Sequence, residues 1–343
     1  MPTAGPAPAP SLSDDDFVKS AAVEIFGADP RVRSVGVGRQ GEGFGFSAIR
    51  NAKVPVPLSQ VKGISEYRGF SVTFLDTDRD PERLVKLLLI GPGSPTTGVP
   101  EQDQHQTVVC GLQVQNYDDD ERSGVLADGH MIVGSIGCVA RLSSGNPGFL
   151  SNNHVVAGEN RGVKGKDRIL QPGGGTISPG AQVGLLSDFV RLKPSPAGAT
   201  LALGTAILND MDAGSVEATS PEQCKQGYLP SRNLPTPSGI ADAMLGDKVF
   251  KVGRTTGLTR GEVIQTGVIV GPIPYAPGPC WFRRSILIQG ENGTPFSDHG
   301  DSGSAIVRRE DGKVVGLLFA GNGQHTWACR IGDVLRSLNC RIL

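Results

Sequence analysis

The sequence predicts a mainly β protein with a small α/β region ahead of the β-rich part. Three observations carry this prediction. The 48 glycines and 25 prolines follow no fixed period, and aromatic residues make up 5% of the chain. From about residue 107 onward, some ten short apolar runs recur between turn-rich stretches. Almost no helical periodicity appears there, so short antiparallel strands are favoured, in a barrel or sandwich architecture.

The chain begins with a tail and a region of mixed secondary structure. Residues 1–13 are rich in proline, alanine and serine, and this composition is typical of a disordered tail. The following "SDDDFVKSAAVEIFG" predicts a helix with Ser13 as its cap and Gly27 as its end. Strands are expected in the glycine-rich stretch after it and in "GFSVTFLDTD". "DPERLVKLLLIG" is expected to form a short helix or strand. We assign 14–98 to a small α/β domain, followed by a linker.

The β-rich region covers residues 107–343. The polar, turn-rich segment 213–245 divides it into halves of about a hundred residues, 107–212 and 246–343. No internal repeat is evident. At this length the chain is large enough to bury a sizeable core.

Charge and composition exclude several classes of function. The 33 Lys and Arg residues nearly balance the 34 Asp and Glu residues, without a basic run, so nucleic acid and anionic membrane are not expected partners. The six cysteines form no pair or cluster with metal-ligand spacing, so we expect no metal, no cofactor and free buried thiols. No secretory signal or membrane span is evident, which predicts a cytoplasmic location. Composition leaves the oligomeric state open.

Ser302 is the strongest candidate for chemistry. It lies between glycines in "SDHGDSGSAIV", just before a β-branched strand. A serine hydroxyl becomes a nucleophile when a base, usually histidine, is within hydrogen-bonding reach and amide donors face the developing oxyanion. Of the five histidines, His154 has the most suitable context, because an apolar strand ends just before it in "GFLSNNHVVAG".

These two segments together resemble those of trypsin-like serine peptidases with the chymotrypsin fold. More narrowly, the chain resembles the intracellular bacterial and plant branch that includes the NARROW LEAF proteins. The segments "SNNHV", "GRTTGLT" and "ILQPGGG" and the N-terminal "SVGVGRQGEGFGFSAI" carry that resemblance. The resemblance implies two antiparallel six-stranded β-barrels with the site between them and a polypeptide as substrate.

The resemblance also implies roles for individual residues. Ser302 is the expected nucleophile, His154 the general base and then acid, and the amides of Gly300 and Ser302 the oxyanion hole. The base of the primary substrate pocket falls on Phe296. The far wall comes from "LLFAG", which includes Phe319 and Gly321. An aromatic base argues against a preference for Lys or Arg. In secreted relatives, the aspartate at the position of Asp301 receives a newly formed N-terminus. No activation site that would create such an N-terminus is evident in this sequence.

The third member of the triad is missing from its usual place. The family has an aspartate at the start of a strand between the histidine and the serine, and the matching segment here is "GATLALGTAILND". Thr200 or Gly204 falls at the acid position, depending on the alignment. Asp188, Asp210 and Asp212 are the carboxylates near enough in sequence to substitute.

Three hypotheses follow from this departure. In the first hypothesis, another aspartate reaches the imidazole of His154, and the chain is a serine endopeptidase that works through an acyl-enzyme. Alternatively, the chain is a slow, self-processing Ser/His dyad, or a peptide-binding pseudoprotease or adaptor. The discriminating feature is the presence or absence of a carboxylate at the Nδ1 edge of His154.

Overall fold

The computed structural model describes residues 11–84, 86–89 and 98–343 of the chain. Among these residues the α-helices are α1 (Asp15–Ala28), α2 (Tyr117–Arg122), α3 (Asn153–Val156) and α4 (Ile331–Ser337). None of the described helices is long and apolar enough to cross a membrane.

Most of the described residues outside the turns lie in strands. The strands of the N-terminal part are β1 (Val32–Gln40), β2 (Gly43–Asn51), β3 (Glu66–Tyr67), β4 (Phe70–Thr77), β5 (Glu82–Arg83) and β6 (Lys86–Leu89). Those of the middle part are β7 (Gln113–Asn116), β8 (His130–Ser135), β9 (Val139–Arg141), β10 (Pro147–Ser151), β11 (Arg168–Leu170), β12 (Gln182–Phe189), β13 (Leu208–Asn209) and β14 (Gly214–Ala218). The C-terminal part holds β15 (Lys248–Gly253), β16 (Gly257–Tyr275), β17 (Gly278–Gly290), β18 (Ala305–Arg308), β19 (Val314–Gly321), β20 (His325–Arg330) and β21 (Arg341–Ile342). The mainly β class predicted from the sequence is confirmed.

The helix α1 begins at a carboxylate cap. The Asp14 side chain accepts hydrogen bonds from the amides of Asp16 (2.9 Å) and Phe17 (3.3 Å), which satisfies donors that the first turn leaves free. The predicted cap, Ser13, is therefore wrong by one residue, and the helix runs past Gly27 to Ala28. Its apolar face packs on β1 and β2 in a small core of its own.

Two sheets form the body of the described structure. The first contains nine strands in the order β21-β9-β10-β14-β12-β11-β7-β8-β6. The second contains twelve, in the order β13-β17-β20-β19-β18-β15-β16-β1-β2-β4-β3, with β5 paired to β19. Pairing is antiparallel except between β13 and β17 and between β2 and β4.

The N-terminal strands extend the second sheet. β1 pairs antiparallel with β16, with Ser34 opposite Val270 and Gly38 opposite Gln265. The long strand β16 therefore joins the N-terminal part to the C-terminal half through backbone hydrogen bonds, so this sheet holds more than six strands.

Two large apolar cores pack against the sheets, and the second of them includes residues of both sheets, among them Ala140 and Leu150 of the first. One is built on Leu112, Phe149, Val156 and Leu186. The other is built on residues such as Phe282, Phe319 and Trp327, all fully buried. Core side chains bury apolar area worth about 25 cal/mol per Å2, which makes each sheet a rigid base for residues at its edge.

One predicted strand is absent. Residues 198–206 form turns, with left-handed backbone at Gly198 (φ 77°) and Gly204 (φ 67°), and the strand that follows is limited to β13. The "GATLALGTAIL" strand prediction is therefore wrong. The six cysteines are unpaired and five of them are buried, as expected for free thiols.

A buried carboxyl on α2 predicts a pH-dependent stability. Asp120 Oδ2 accepts hydrogen bonds from Ile132 N (2.9 Å) and Gln115 Nε2 (2.8 Å). Burial raises the pKa of Asp120 to about 7, and the nearby Asp119 adds to this. The folded state therefore keeps a proton that the unfolded chain releases near pH 4, and stability falls as the pH rises from about 4 to about 7.

The variant Asp120→Asn keeps an acceptor oxygen and cannot ionise. Its free energy of unfolding should match the wild type near pH 4 and exceed it at pH 8. The gain should be about 1.4 kcal/mol for each unit of pKa difference. Urea unfolding at the two pH values measures this. Asp128→Asn, on an exposed turn, should follow the wild-type profile. Equal stability of Asp120→Asn and wild type at both pH values would contradict the assignment.

Candidate active site

His154 lies in the short helix α3, directly after strand β10. The strand ends at Ser151 and the chain turns, which places the His154 imidazole under the edge of the first sheet, where its side chain is fully buried. Its Nδ1 atom forms a hydrogen bond with Oδ2 of Asp212, whose side chain is also fully buried. A carboxylate at this edge requires the proton on Nδ1 in the neutral ring, which leaves Nε2 as an acceptor.

Asp212 is held by several donors as well as the imidazole. It lies in the connection between β13 and β14. Its Oδ1 accepts from the backbone N–H of His154 (3.2 Å), and its Oδ2 accepts from Tyr275 Oη (2.7 Å). Burial raises the pKa of Tyr275 well above its usual value, with a further contribution from Asp212, so its phenol remains a donor. The Asn152 side chain also donates to the Asp212 carbonyl (2.6 Å). These contacts fix the carboxylate against the ring.

The carboxylate that contacts His154 is therefore Asp212, and the positions that alignment favoured do not supply it. Thr200 and Gly204 lie in the turns that replace the predicted strand. The other two carboxylates face elsewhere, since Asp188 pairs with Lys164 and Asp210 with Arg283 (2.7 Å).

Ser302 lies in a tight turn before β18. Gly300 and Gly303 flank this turn with φ of 102° and 93°, where L side chains are strained. A Cβ atom at Gly303 would lie 2.3 Å from the Ser135 carbonyl oxygen, so the backbone there is closely packed. The Ser302 hydroxyl donates to the Phe319 carbonyl (3.3 Å). Within the described residues, His154 Nε2 is buried and has no hydrogen-bond partner.

The amides of Gly300 and Ser302 point at one oxygen atom. Both N–H groups donate to the Leu84 carbonyl, at 2.5 Å from Gly300 N and 3.4 Å from Ser302 N. The Gly300 amide is oriented by its neighbour, because Thr255 Oγ1 donates to the His299 carbonyl (2.6 Å) in the same peptide unit. The two residues expected to form an oxyanion hole therefore converge on a carbonyl.

Asp301 organises the loop around these amides. Its Oδ1 accepts from the N–H groups of Thr255 (2.9 Å) and Thr256 (3.2 Å), both in the "GRTTGLT" hairpin. Its Oδ2 accepts from Asp298 N (3.0 Å) and lies 3.3 Å from Lys251 Nζ, with both charged side chains fully buried. The ammonium of Lys251, on β15, is thus the cation paired with the buried Asp301 carboxylate.

The residues predicted to form a substrate pocket surround Leu84. Phe296 is buried and belongs to the same apolar cluster as Leu84. Gly321 lies against the Leu84 side chain, since a Cβ at Gly321 would be 2.8 Å from Leu84 Cδ1. Phe319 contributes its backbone carbonyl, while its ring packs on Phe282 (4.7 Å between ring centroids) in the core.

Sequence reasoning missed several residues of the site. Leu84, Tyr275, Lys251 and Thr255 belong to it through contacts between distant parts of the chain. The one sequence signal among them is the "GRTTGLT" match, which pointed to the hairpin holding Asp301. Two of the other histidines contact backbone carbonyls close to them in sequence: His105 Nε2 contacts the Pro100 carbonyl and His130 Nδ1 the Asp128 carbonyl.

Comparison with known proteins gives partial matches. The family model described as the Nal1 C-terminal domain matches residues 227–330. The protein NARROW LEAF 1 of Oryza sativa subsp. japonica is 24% identical over 273 residues, which is 71% of this chain. The chain spans 45% of that protein's length.

Among solved structures, similar chains include two serine proteases. The Nocardiopsis protease NAPase is 21% identical, covers 69% of this chain and 98% of its own, and has a TM-score of 0.44. A glutamic acid-specific serine protease is 18% identical, covers 69% of this chain and 100% of its own, and has a TM-score of 0.43.

The buried pair of Lys251 and Asp301 beside Ser302 predicts that replacing the lysine will lower the free energy of unfolding substantially. Lys251→Met leaves Asp301 buried without its cation, and breaking such a pair costs about 3–5 kcal/mol of unfolding free energy. Burial lowers the pKa of Lys251, and the neighbouring Asp301 carboxylate opposes that shift. Urea unfolding of the variant measures the loss.

The control for this experiment lies on the same strand. Lys248 pairs with Glu262 at 2.5 Å, but its side chain is 55% exposed, so Lys248→Met should cost at most about 1 kcal/mol. Similar losses of unfolding free energy in Lys251→Met and Lys248→Met would contradict a structural role for Lys251 in holding the Ser302 loop.

Proposed function

We propose that the chain is a serine endopeptidase that hydrolyses polypeptides through an acyl-enzyme. The observation that carries this proposal is the carboxylate of Asp212 at the Nδ1 edge of His154. That contact is the feature that separates a peptidase from a peptide-binding adaptor or a Ser/His dyad. The convergence of the Gly300 and Ser302 amides on a single carbonyl oxygen supports it.

Each residue of the proposed site has a defined part in the reaction. His154 Nε2 takes the proton of Ser302 as its Oγ attacks the substrate carbonyl carbon, and later gives that proton to the leaving amine. Asp212 keeps the imidazole in the productive tautomer and offsets the positive charge that the ring acquires. The Gly300 and Ser302 amides stabilise the oxyanion, and each such donor is worth about 2.7–4 kcal/mol at the transition state.

The nucleophile needs one local movement before it reacts. The Ser302 hydroxyl donates to the Phe319 carbonyl, and the reaction requires it to exchange that acceptor for His154 Nε2. Side-chain rotations are fast relative to catalysis.

The test of the proposal is covalent labelling with a fluorophosphonate probe, followed by peptide mapping. Capture should occur at Ser302 and be lost in Ser302→Ala and His154→Ala. Ser304→Ala is the matched control, because the Ser304 hydroxyl is buried two residues away and has no hydrogen-bond partner among the described residues, so its loss should not affect labelling. Labelling that persists in Ser302→Ala would contradict the proposal.

A second prediction concerns the acid. Asp212→Asn should reduce kcat, or the second-order labelling rate, by about 10⁴-fold, because the amide favours the wrong tautomer of His154. Asp210→Asn changes a carboxylate two residues away that pairs with Arg283 and is 42% exposed, so it should stay within about twofold of wild type. Equal rates for the two variants would show that Asp212 has no part in the reaction.

A further inference from the structure

The segment Glu82–Leu84 lies in the cleft as an added antiparallel strand. Arg83 is opposite Ala320 and Glu82 is opposite Gly321, at the end of β19. The Leu84 N–H donates to the Phe319 carbonyl (3.3 Å). Backbone hydrogen bonds of this kind fix the register of an extended peptide, while alternate side chains enter pockets.

This register places the Leu84 carbonyl at the reacting position. Its oxygen accepts from Gly300 N at 2.5 Å and from Ser302 N at 3.4 Å, the two amides proposed to bind an oxyanion. Its carbon therefore lies beside the residue whose hydroxyl is the proposed nucleophile. Within this chain, the carbonyl of Leu84 occupies the place that a substrate's scissile carbonyl would take.

The Leu84 side chain fills the adjoining pocket. It is 2% exposed and packs in a cluster with Val263, Ile288, Phe296 and Leu318. The lack of a side chain at Gly321 leaves room for its methyl groups. The members of this cluster are apolar, so a charged side chain in Leu84's place would lose its hydration without gaining a partner.

The residues on either side are also held in place. Arg83 pairs with Glu159 (2.7 Å between Nε and Oε1), donates to the Pro274 carbonyl (2.6 Å) and lies over the Tyr275 ring. Glu82 Oε1 lies 3.1 Å from His299 Nε2. Beyond Leu84 the chain continues into β6, which pairs with β8 in the other sheet. The strand is thus fixed to both sheets.

We propose that Glu82–Leu84 is bound as a substrate, so that the enzyme cuts its own chain after Leu84 and selects leucine before the cleaved bond. This inference rests on the proposed function. Ser302 Oγ bonds to the Leu84 carbonyl carbon while its proton passes to His154. The C–N bond to the next residue then breaks, and its nitrogen takes that proton. Water hydrolyses the ester, giving a Leu84 carboxylate and a new amino terminus.

The first test is the intact mass of the purified full chain over time. The wild type should convert to fragments 1–84 and 85–343, and Ser302→Ala should remain whole. Leu84→Asp should slow conversion at least tenfold, because its carboxylate does not suit the apolar pocket. Leu87→Asp is the matched control: Leu87 is 57% exposed, and its variant should convert at the wild-type rate.

Fluorophosphonate labelling of the same samples separates the two proposals. If Ser302 is labelled while the wild-type chain stays whole, self-cleavage is overturned and the peptidase assignment survives. Leu84→Asp weakens the binding of Glu82–Leu84 in the cleft and so should leave Ser302 more accessible to the probe. If Ser302 is labelled neither in the wild type nor in Leu84→Asp, both proposals fail. Conversion at another bond would also overturn the assignment of Leu84.

The second test measures selectivity on added peptides. The Leu84→Asp protein is the enzyme, and quenched-fluorescence peptides with the sequence of residues 80–89 are the substrates. Replacing the central leucine by alanine should reduce kcat/KM by about 10–200-fold, the range for apolar groups in a fitted pocket, and lysine should reduce it at least as much. Equal or faster turnover of the lysine peptide would overturn the leucine preference.

Discussion

The contact between the buried Asp212 carboxylate and the His154 imidazole is the interaction on which the site depends. It forms across the first sheet, from the turn after β10 to the connection before β14. Tyr275, from β16 in the second sheet, donates to the same carboxylate. The position of the imidazole is therefore set by both sheets together, and one apolar core joins the two sheets.

A second buried charge pair positions the loop that contains Gly300 and Ser302. Lys251 and Asp301 are fully buried, and Asp301 also binds the hairpin amides of Thr255 and Thr256. That hairpin in turn orients the peptide unit of Gly300 through its contact with the His299 carbonyl. One of the two amides proposed to bind an oxyanion is thus oriented by a hydrogen bond from this hairpin.

The sequence predicted the parts of the site that local patterns encode. Ser302, Gly300 and His154 occur in short motifs with turn residues at fixed places, and these were identified directly. Asp212 was one of three candidate acids, because a strand was expected where Gly198 and Gly204 turn the chain. Lys251, Tyr275 and Leu84 join the site through contacts across more than forty residues, and nothing in their immediate sequence shows those contacts. The pairing of β1 with β16 was missed for the same reason.

The tautomer of His154 is the most direct measurement of the central claim. Nitrogen-15 NMR of the histidine side chains, assigned with His154→Ala, shows which ring nitrogen carries the proton once the pH is high enough for the spectrum to stop changing. The account predicts a proton on Nδ1, facing Asp212, and a bare Nε2. In Asp212→Asn the proton should move to Nε2. A wild-type ring with its proton on Nε2 would contradict the account, because it could not accept the proton of Ser302.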